Sequence, residues 1–224
     1  MKVLSKISLA ALLLSVGIAT PLLADPITPG QTLTPTPSSS GSFVILASTG
    51  VQAYSFPAVG QPNAGLDTGT VEELAVTCSC NPYGANDITF LYQFSVTGGD
   101  ISGLSGSFFA GFLTDVSEGA GALPGFASST ITADSVSRSG GPGANIQFSF
   151  QPNALPGDTS QVLVISTNAT TYDASTIGLI DSGGQTLHGF EPAIAPIVPE
   201  PSSLLLLGTG LLGIGGAVRR RFSI

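Results

Sequence analysis

Short runs of alternating apolar and polar residues dominate the chain between residues 42 and 190. In residues 88–97 every second side chain is apolar, and these side chains share one face: Ile88, Phe90, Tyr92, Phe94 and Val96. Residues 144–151 alternate in the same way, whereas residues 161–167 contain a continuous apolar run. Alternation with period two predicts a strand with one buried face, and a short continuous apolar run predicts a strand buried on both faces.

Further segments have the composition of strands, and turn residues separate them. They are residues 42–48, 51–56, 71–78, 107–114, 129–136, 175–181 and 185–190. Glycine, proline and aspartate punctuate the chain between them, as in residues 140–143, 156–158 and 181–184. No segment of this region keeps apolar residues at helical spacing over three turns. The pattern therefore predicts an all-β fold, a jelly-roll-like β-sandwich of about ten short strands.

The N-terminal residues have the pattern of a secretory signal peptide. Lys2 and Lys6 give a positive start, residues 7–19 are apolar or small, and Ala24 offers a small residue at a cleavage site. We expect residues 1–24 to be removed after Ala24, so that the exported chain begins at Asp25.

The C-terminal residues combine a stiff triplet, an uncharged stretch and a basic end. Pro199-Glu200-Pro201 precedes residues 204–218, which carry no charge, and Arg219, Arg220 and Arg221 follow directly. The 15 uncharged residues would measure about 22 Å as a helix, and the 18 from Pro201 onward about 27 Å. That length predicts a single membrane-spanning helix in a thin bilayer, with the arginines held on the cytoplasmic side as a positive stop.

This order of elements in residues 198–224 resembles the PEP-CTERM sorting signal. The resemblance implies that an exosortase-type membrane transpeptidase recognises Pro199, Glu200 and Pro201 and removes the tail. It also implies that the protein is held in the cell-envelope membrane before processing, and that it then reaches the cell surface or the extracellular matrix. The alternative is a plain C-terminal membrane anchor.

A second resemblance covers most of the exported part. The segments that carry it are FLYQF at 90–94, LPGDTS at 155–160, VISTNAT at 164–170, GLIDSGG at 178–184 and GFEP at 189–192. They are similar to the β-rich ectodomains that often precede PEP-CTERM tails. This resemblance implies the all-β architecture and adds no chemistry.

Composition divides the exported part into a leader at 25–41 and a β-sandwich ectodomain at 42–197. The leader has four prolines and many Ser and Thr residues, which is typical of an extended linker. Residues 25–198 contain 13 carboxylates and a single basic residue, Arg138, for a formal charge of −12. Nucleic-acid binding is excluded as a function, because it depends on Lys and Arg side chains that neutralise phosphates.

Cys78 and Cys80 are the only cysteines in the chain. Two cysteines in an exported protein predict a disulfide, although on a straight strand these Cα atoms would lie about 6.6 Å apart. A local bend at residues 81–84 would bring them within bonding geometry. We expect Cys78 and Cys80 to pair with each other, the alternative being a bridge between two chains.

Candidate catalytic and metal-binding residues are few. His188 is the only histidine, and no nucleophile motif accompanies it. Glu72 and Glu73 are adjacent on a predicted strand, so they point to opposite faces and cannot act on one bond. Asp67, Asp87, Asp100 and Asp181 could supply oxygen ligands for calcium, but turn chemistry explains each of them without a metal. We therefore expect no catalytic residue, no metal and no cofactor.

The sequence predicts a non-enzymatic exported protein that is structural or adhesive. A carbohydrate-binding module, with or without calcium, is the alternative and would make extracellular polysaccharide a partner. A hydrolase is the third hypothesis, because a β-sandwich can host many functions and 13 carboxylates allow many pairs.

Overall fold

The computed structural model of the protein describes residues 25–37, 41–58, 65–119 and 125–194. The predicted signal peptide, its cleavage site at Ala24, the sorting triplet, the apolar stretch at 204–218 and the terminal arginines lie outside the described residues.

The described residues form strands and connections, with no helix. Accordingly, no helix in these ranges is long and apolar enough to cross a membrane. In chain order the strands are β1 (Asp25–Pro26), β2 (Thr32–Leu33), β3 (Thr36–Pro37), β4 (Phe43–Ser48), β5 (Gln52–Pro57), β6 (Leu66–Cys78), β7 (Ile88–Gly98), β8 (Ile101–Gly106), β9 (Thr114–Gly119), β10 (Ser135–Arg138), β11 (Ile146–Ala154), β12 (Val162–Thr167), β13 (Thr171–Ile180) and β14 (Gly184–Ala193).

The strands form two sheets. The first has the order β1-β9-β12-β7-β6-β4, with β3 also paired to β9 and β5 also paired to β6. The second has the order β14-β13-β8-β11-β10-β2. All neighbours are antiparallel except β3 and β9. The prediction of an all-β fold is confirmed.

The main core consists of aromatic and aliphatic side chains contributed by both sheets. Phe94 of β7 packs edge-on against Phe150 of β11, with 5.1 Å between ring centroids. Phe90 makes a similar contact with Phe109 at 5.8 Å. Such edge-to-face pairs add to the stabilisation from burial alone. The alternating apolar side chains of β7 therefore lie in the core, as the pattern predicts.

Strand β7 is buried on its other face as well, which the alternation does not predict. Leu91 belongs to a second apolar cluster with Leu74 and Val76 of β6, and Phe126 packs against this cluster. The connection between β9 and β10 also bonds to β7, because Gln93 Nε2 donates to the Ala127 carbonyl at 2.9 Å. Residues 126–127 of this connection therefore lie against the outer face of the first sheet at β7, and β7 is buried on both sides.

The observed strands differ from the predicted ones in three places. The sequence pattern predicts a strand at 129–136, but β10 is Ser135–Arg138, and residues 129–134 belong to the connection before it. Residues 107–113 connect β8 and β9, whereas the sequence pattern predicts a strand at 107–114. The true strands on either side, ISGLSG and TDVSEG, consist mainly of small and polar residues and give little periodic signal. The leader is also more structured than its composition predicts, since β1, β2 and β3 pair with both sheets and Ile27 is buried in the core.

Candidate functional site

Three of the four aspartates considered as calcium ligands lie together at one corner of the sandwich. Asp67 is on β6, Asp100 is in the turn between β7 and β8, and Asp181 is in the turn between β13 and β14. One carboxylate oxygen of each lies within 4.8 Å of the others. We call these three residues the aspartate cluster. Asp87, the fourth aspartate considered, is not part of it.

Strand pairing brings the start of β6 and the two turns together. Thr68 of β6 pairs with Gly98 of β7, so Asp67 lies beside the point where β7 leaves the first sheet. The chain then crosses through residues 99–100 to β8 in the second sheet, where Gly103 pairs with Ile180. Gly99 has φ +69°, and a Cβ there would lie 2.0 Å from Asp67 Oδ1. Only glycine fits this close approach.

Hydrogen bonds connect the cluster to the backbone and to one amide side chain. Asp67 Oδ1 accepts the Asp100 backbone N–H at 3.1 Å. The Asn153 side-chain amide donates to Asp100 Oδ2 at 2.7 Å and to Asp181 Oδ1 at 3.3 Å. Asp67 is fully buried, and its Oδ2 atom has no hydrogen-bond partner. A buried carboxylate oxygen without a donor is costly unless a proton or a cation neutralises it.

The aspartate cluster contains negative charge with no basic side chain to balance it. Burial raises the pKa of the Asp67 carboxyl, the Asp100 N–H lowers it, and the charges of Asp181 and Asp100 raise it again. Arg138 is the only Lys or Arg residue between 25 and 194, and its guanidinium bonds to groups elsewhere in the fold. Three carboxylates therefore converge without a basic side chain, an arrangement that suits a hard cation.

Glu72 and Glu73 lie in different environments. Glu72 is half-buried and accepts a hydrogen bond from Ser48 Oγ at 3.0 Å. Glu73 is fully buried, its Oε2 accepts the Phe190 N–H at 2.9 Å, and its Oε1 has no partner. Burial raises the pKa of Glu73 to about 8. The nearby Tyr92 hydroxyl is also fully buried, and its pKa is raised first by burial and then by Glu73.

His188 lies exposed on β14. Its backbone N–H donates to Gln52 Oε1 at 3.2 Å, and its carbonyl accepts from Gln52 Nε2 at 2.8 Å. These contacts tie β14 to β5 and use the backbone of His188.

Cys78 and Cys80 are joined by a disulfide, with 5.0 Å between their Cα atoms. β6 ends at Cys78 and the chain turns over residues 79–80, which brings the two residues closer than a straight strand would. Gly41 packs directly on this bridge, because a Cβ there would lie 2.8 Å from Cys78 Sγ.

Pockets among the described residues include the following three. The first is an apolar groove of about 360 Å³ on the outer face of the first sheet, lined by Gly41, Ser42, Phe43, Ile45, Leu74, Val76 and Leu91. The second includes Tyr83 and Arg138, and the third includes Glu72. None of these three pockets is lined by His188 or by two carboxylates, the groups that the hydrolase hypothesis requires.

Arg138 has a role that its sequence context does not reveal. Its guanidinium is buried and its five N–H groups have partners in the leader, in the segment from β8 to β9, and in the turn after β10. The acceptors are the carbonyls of Ile27, Phe109, Phe112 and Gly143 and the hydroxyl of Thr114, at 2.7–3.0 Å. In the sequence, the only indication of this role is that Arg138 is the single basic residue of residues 25–198.

Comparison with known proteins identifies the C-terminal segment. Residues 198–221 match the PEP-CTERM protein-sorting motif, which includes the Pro199-Glu200-Pro201 triplet and the three arginines. No curated protein and no solved structure matches the chain. The motif implies export, a membrane-anchored state before processing, and an exosortase as the processing partner. The chain therefore carries a PEP-CTERM protein-sorting motif at residues 198–221, after a region that forms two β-sheets.

Proposed function

We propose that this protein is a non-enzymatic structural or adhesive component of the cell surface or extracellular matrix. In this proposal the signal peptide is removed after Ala24, the exosortase removes the tail, and the sandwich remains as the mature product. The export and processing steps rest on the sorting motif. The adhesive role rests on the exposed edge of the first sheet.

Strand β4 carries the observation that supports adhesion. It ends the first sheet, and its sequence FVILAS contains neither a charged residue nor a proline. Val44, Ile45 and Leu46 are 62%, 53% and 43% exposed. Proteins usually protect such edges with charge, proline or a covering segment, because an apolar edge strand pairs readily with other chains. On β4, the Tyr172 hydroxyl donates a hydrogen bond to the Leu46 carbonyl.

Lysine substitutions on β4 test the adhesive role. We expect Val44→Lys with Leu46→Lys to reduce cell–cell aggregation and self-association of the secreted protein several-fold. Pairing of this edge with another chain would bring the lysine charges into the interface, which is unfavourable. The measurements are aggregation of producing cells and sedimentation of the purified protein. Thr176→Lys with Thr186→Lys is the matched control, since both threonines are exposed on the second sheet. Equal aggregation by wild type and the β4 variant would contradict the proposal.

The sorting step has its own prediction. We expect a protein with alanines at Pro199, Glu200 and Pro201 to accumulate in the membrane unprocessed. Proline restricts its own backbone and that of the residue before it, so the sequence predicts a stiff, extended triplet next to the apolar stretch, which a membrane enzyme could bind. The sandwich should fold normally, because β14 ends at Ala193, before the triplet.

The test measures the mass and membrane fractionation of wild type and the triple variant in a host that has the sorting enzyme. Alanines at Ser202 and Ser203 provide a control beside the triplet. If the triple variant is trimmed and released like wild type, the tail serves as a plain anchor and the exosortase assignment fails.

A carbohydrate-binding module is the second candidate function, and one exposed aromatic favours it. Phe108 is 56% exposed in the connection between β8 and β9 and has φ +67°, a conformation that is uncommon for a bulky residue. Strained exposed residues often serve contacts with a ligand. A glycan array probed with the secreted protein, with and without calcium, distinguishes this function from protein-mediated adhesion.

A further inference from the structure

We propose that Asp67, Asp100 and Asp181 bind a calcium ion at the corner where the two sheets meet. Their carboxylates converge with oxygens within 4.8 Å of each other. Calcium–oxygen distances are about 2.3–2.6 Å, so ligands on opposite sides of the ion stand about 4.6–5.2 Å apart. The cluster fits that span. This inference is independent of whether the protein is adhesive.

The buried oxygen of Asp67 is the second observation. Asp67 has no solvent exposure, its Oδ1 already accepts the Asp100 N–H, and its Oδ2 has no partner. This atom belongs to the same carboxyl group that enters the cluster. A cation there would coordinate Oδ2 and would also relieve the electrostatic repulsion among the three carboxylates. Acids on the surface are solvated by water and do not need an ion for this.

The donor set favours calcium over other metals. All three ligands are carboxylates, and the Asn153 amide N–H and the Ser182 hydroxyl donate hydrogen bonds that hold Asp100 and Asp181 in place. Oxygen-only sites select hard cations, whereas zinc and copper prefer imidazole and thiolate. The only histidine lies outside the cluster and both cysteines are in the disulfide. Magnesium is smaller and keeps more of its water, so we expect it to bind more weakly.

Calcium at this position would join parts of the chain that are far apart in sequence. It would connect β6, the crossing from β7 to β8, and the turn between β13 and β14. Binding would therefore stabilise the sandwich as a unit. Extracellular calcium modules typically have a Kd of about 0.1–1 mM. At a calcium concentration of about 10 mM, such a site raises the folded-to-unfolded ratio about 10–100-fold.

The experiment uses the protein as it is secreted and processed, stripped with EDTA. Calorimetric titration with CaCl₂ and thermal unfolding at 10 mM CaCl₂ are compared with MgCl₂ and with NaCl at matched ionic strength. We expect one calcium per chain, a clear rise in Tm with calcium and a smaller one with magnesium. No heat and no rise in Tm for wild type at 10 mM CaCl₂ would overturn the proposal.

A pair of double variants with equal charge change identifies the site. Asp100→Asn with Asp181→Asn removes two ligand charges, whereas Asp134→Asn with Asp173→Asn removes two charges from exposed residues. We expect the first variant to be more stable than wild type without calcium, because repulsion is relieved, and to lose the calcium response. The second variant should keep the full response. An equal calcium-induced rise in Tm in both variants would show that binding occurs elsewhere.

Discussion

Replacing Arg138 with methionine should strongly destabilise the sandwich. Methionine retains much of the apolar stem but removes all five donors. The Ile27 carbonyl keeps the Thr114 hydroxyl as a donor and the Phe109 carbonyl keeps the Phe112 N–H, whereas the carbonyls of Phe112 and Gly143 lose their partner. Each buried polar group left unsatisfied costs about 1–3 kcal/mol. A domain is stable by only about 5–15 kcal/mol, so this loss removes a large share of its stability.

Circular dichroism and urea denaturation of the secreted protein measure the effect. Arg138→Lys should rescue only part of the stability, because an ammonium offers three donors from one point and cannot reach acceptors spread around a planar guanidinium. Thr114→Val removes one acceptor of Arg138 and one donor to the Ile27 carbonyl, and should cost about 1–2 kcal/mol. Should Arg138→Met unfold at the same urea concentration as Thr114→Val, the guanidinium would not organise this region.

Arg138 illustrates what the sequence pattern could not show. The pattern of β7 and β11 predicts strands and core side chains, because period-two alternation is a local property of the chain. The partners of Arg138 come from residues 27, 109, 112, 114 and 143, which are brought together only by the completed fold. The polar strands β8 and β9 escape prediction for the same reason, since their burial comes from neighbouring strands.

The aspartate cluster follows the same rule. Asp67, Asp100 and Asp181 each lie at or near a turn, where aspartate is common without any ligand. Their sequence positions are separated by 33 and 81 residues, so no local motif marks them as a set. The crossing from the first sheet to the second brings them together, and the unpartnered Oδ2 of Asp67 distinguishes the cluster from ordinary surface charge. Asn153 lies in β11, and nothing in the sequence indicates that it contacts these aspartates.

Buried acids also determine how the stability of the sandwich depends on pH. Burial raises the pKa of Glu73 to about 8, and it raises the pKa values of Glu118 and Asp115 to about 7. Between the ordinary carboxyl pKa near 4.5 and these values, the folded state binds more protons than the unfolded state. Stability therefore falls as pH rises through this window. The wild-type protein should be most stable near pH 4–5 and should lose stability toward pH 8.

Glu73→Gln should remove the share of this pH dependence that Glu73 contributes. The glutamine side chain has nearly the same shape, its oxygen can accept the Phe190 N–H, and its amide group can donate toward the Tyr92 hydroxyl. It stays neutral at every pH. We expect the variant to match wild type near pH 4.5 and to exceed its stability at pH 8, by at most about 4 kcal/mol, since each pH unit contributes up to about 1.4 kcal/mol per group.

Urea denaturation at pH 4.5, 6, 7 and 8 measures this difference for wild type and Glu73→Gln. Glu72→Gln is the matched control, because it makes the same chemical change one residue away on the half-buried face of β6. Its stability curve should run parallel to that of wild type. The difference between Glu73→Gln and wild type should instead widen steadily above pH 5, and a constant difference across the range would show that Glu73 is ionised in the folded protein.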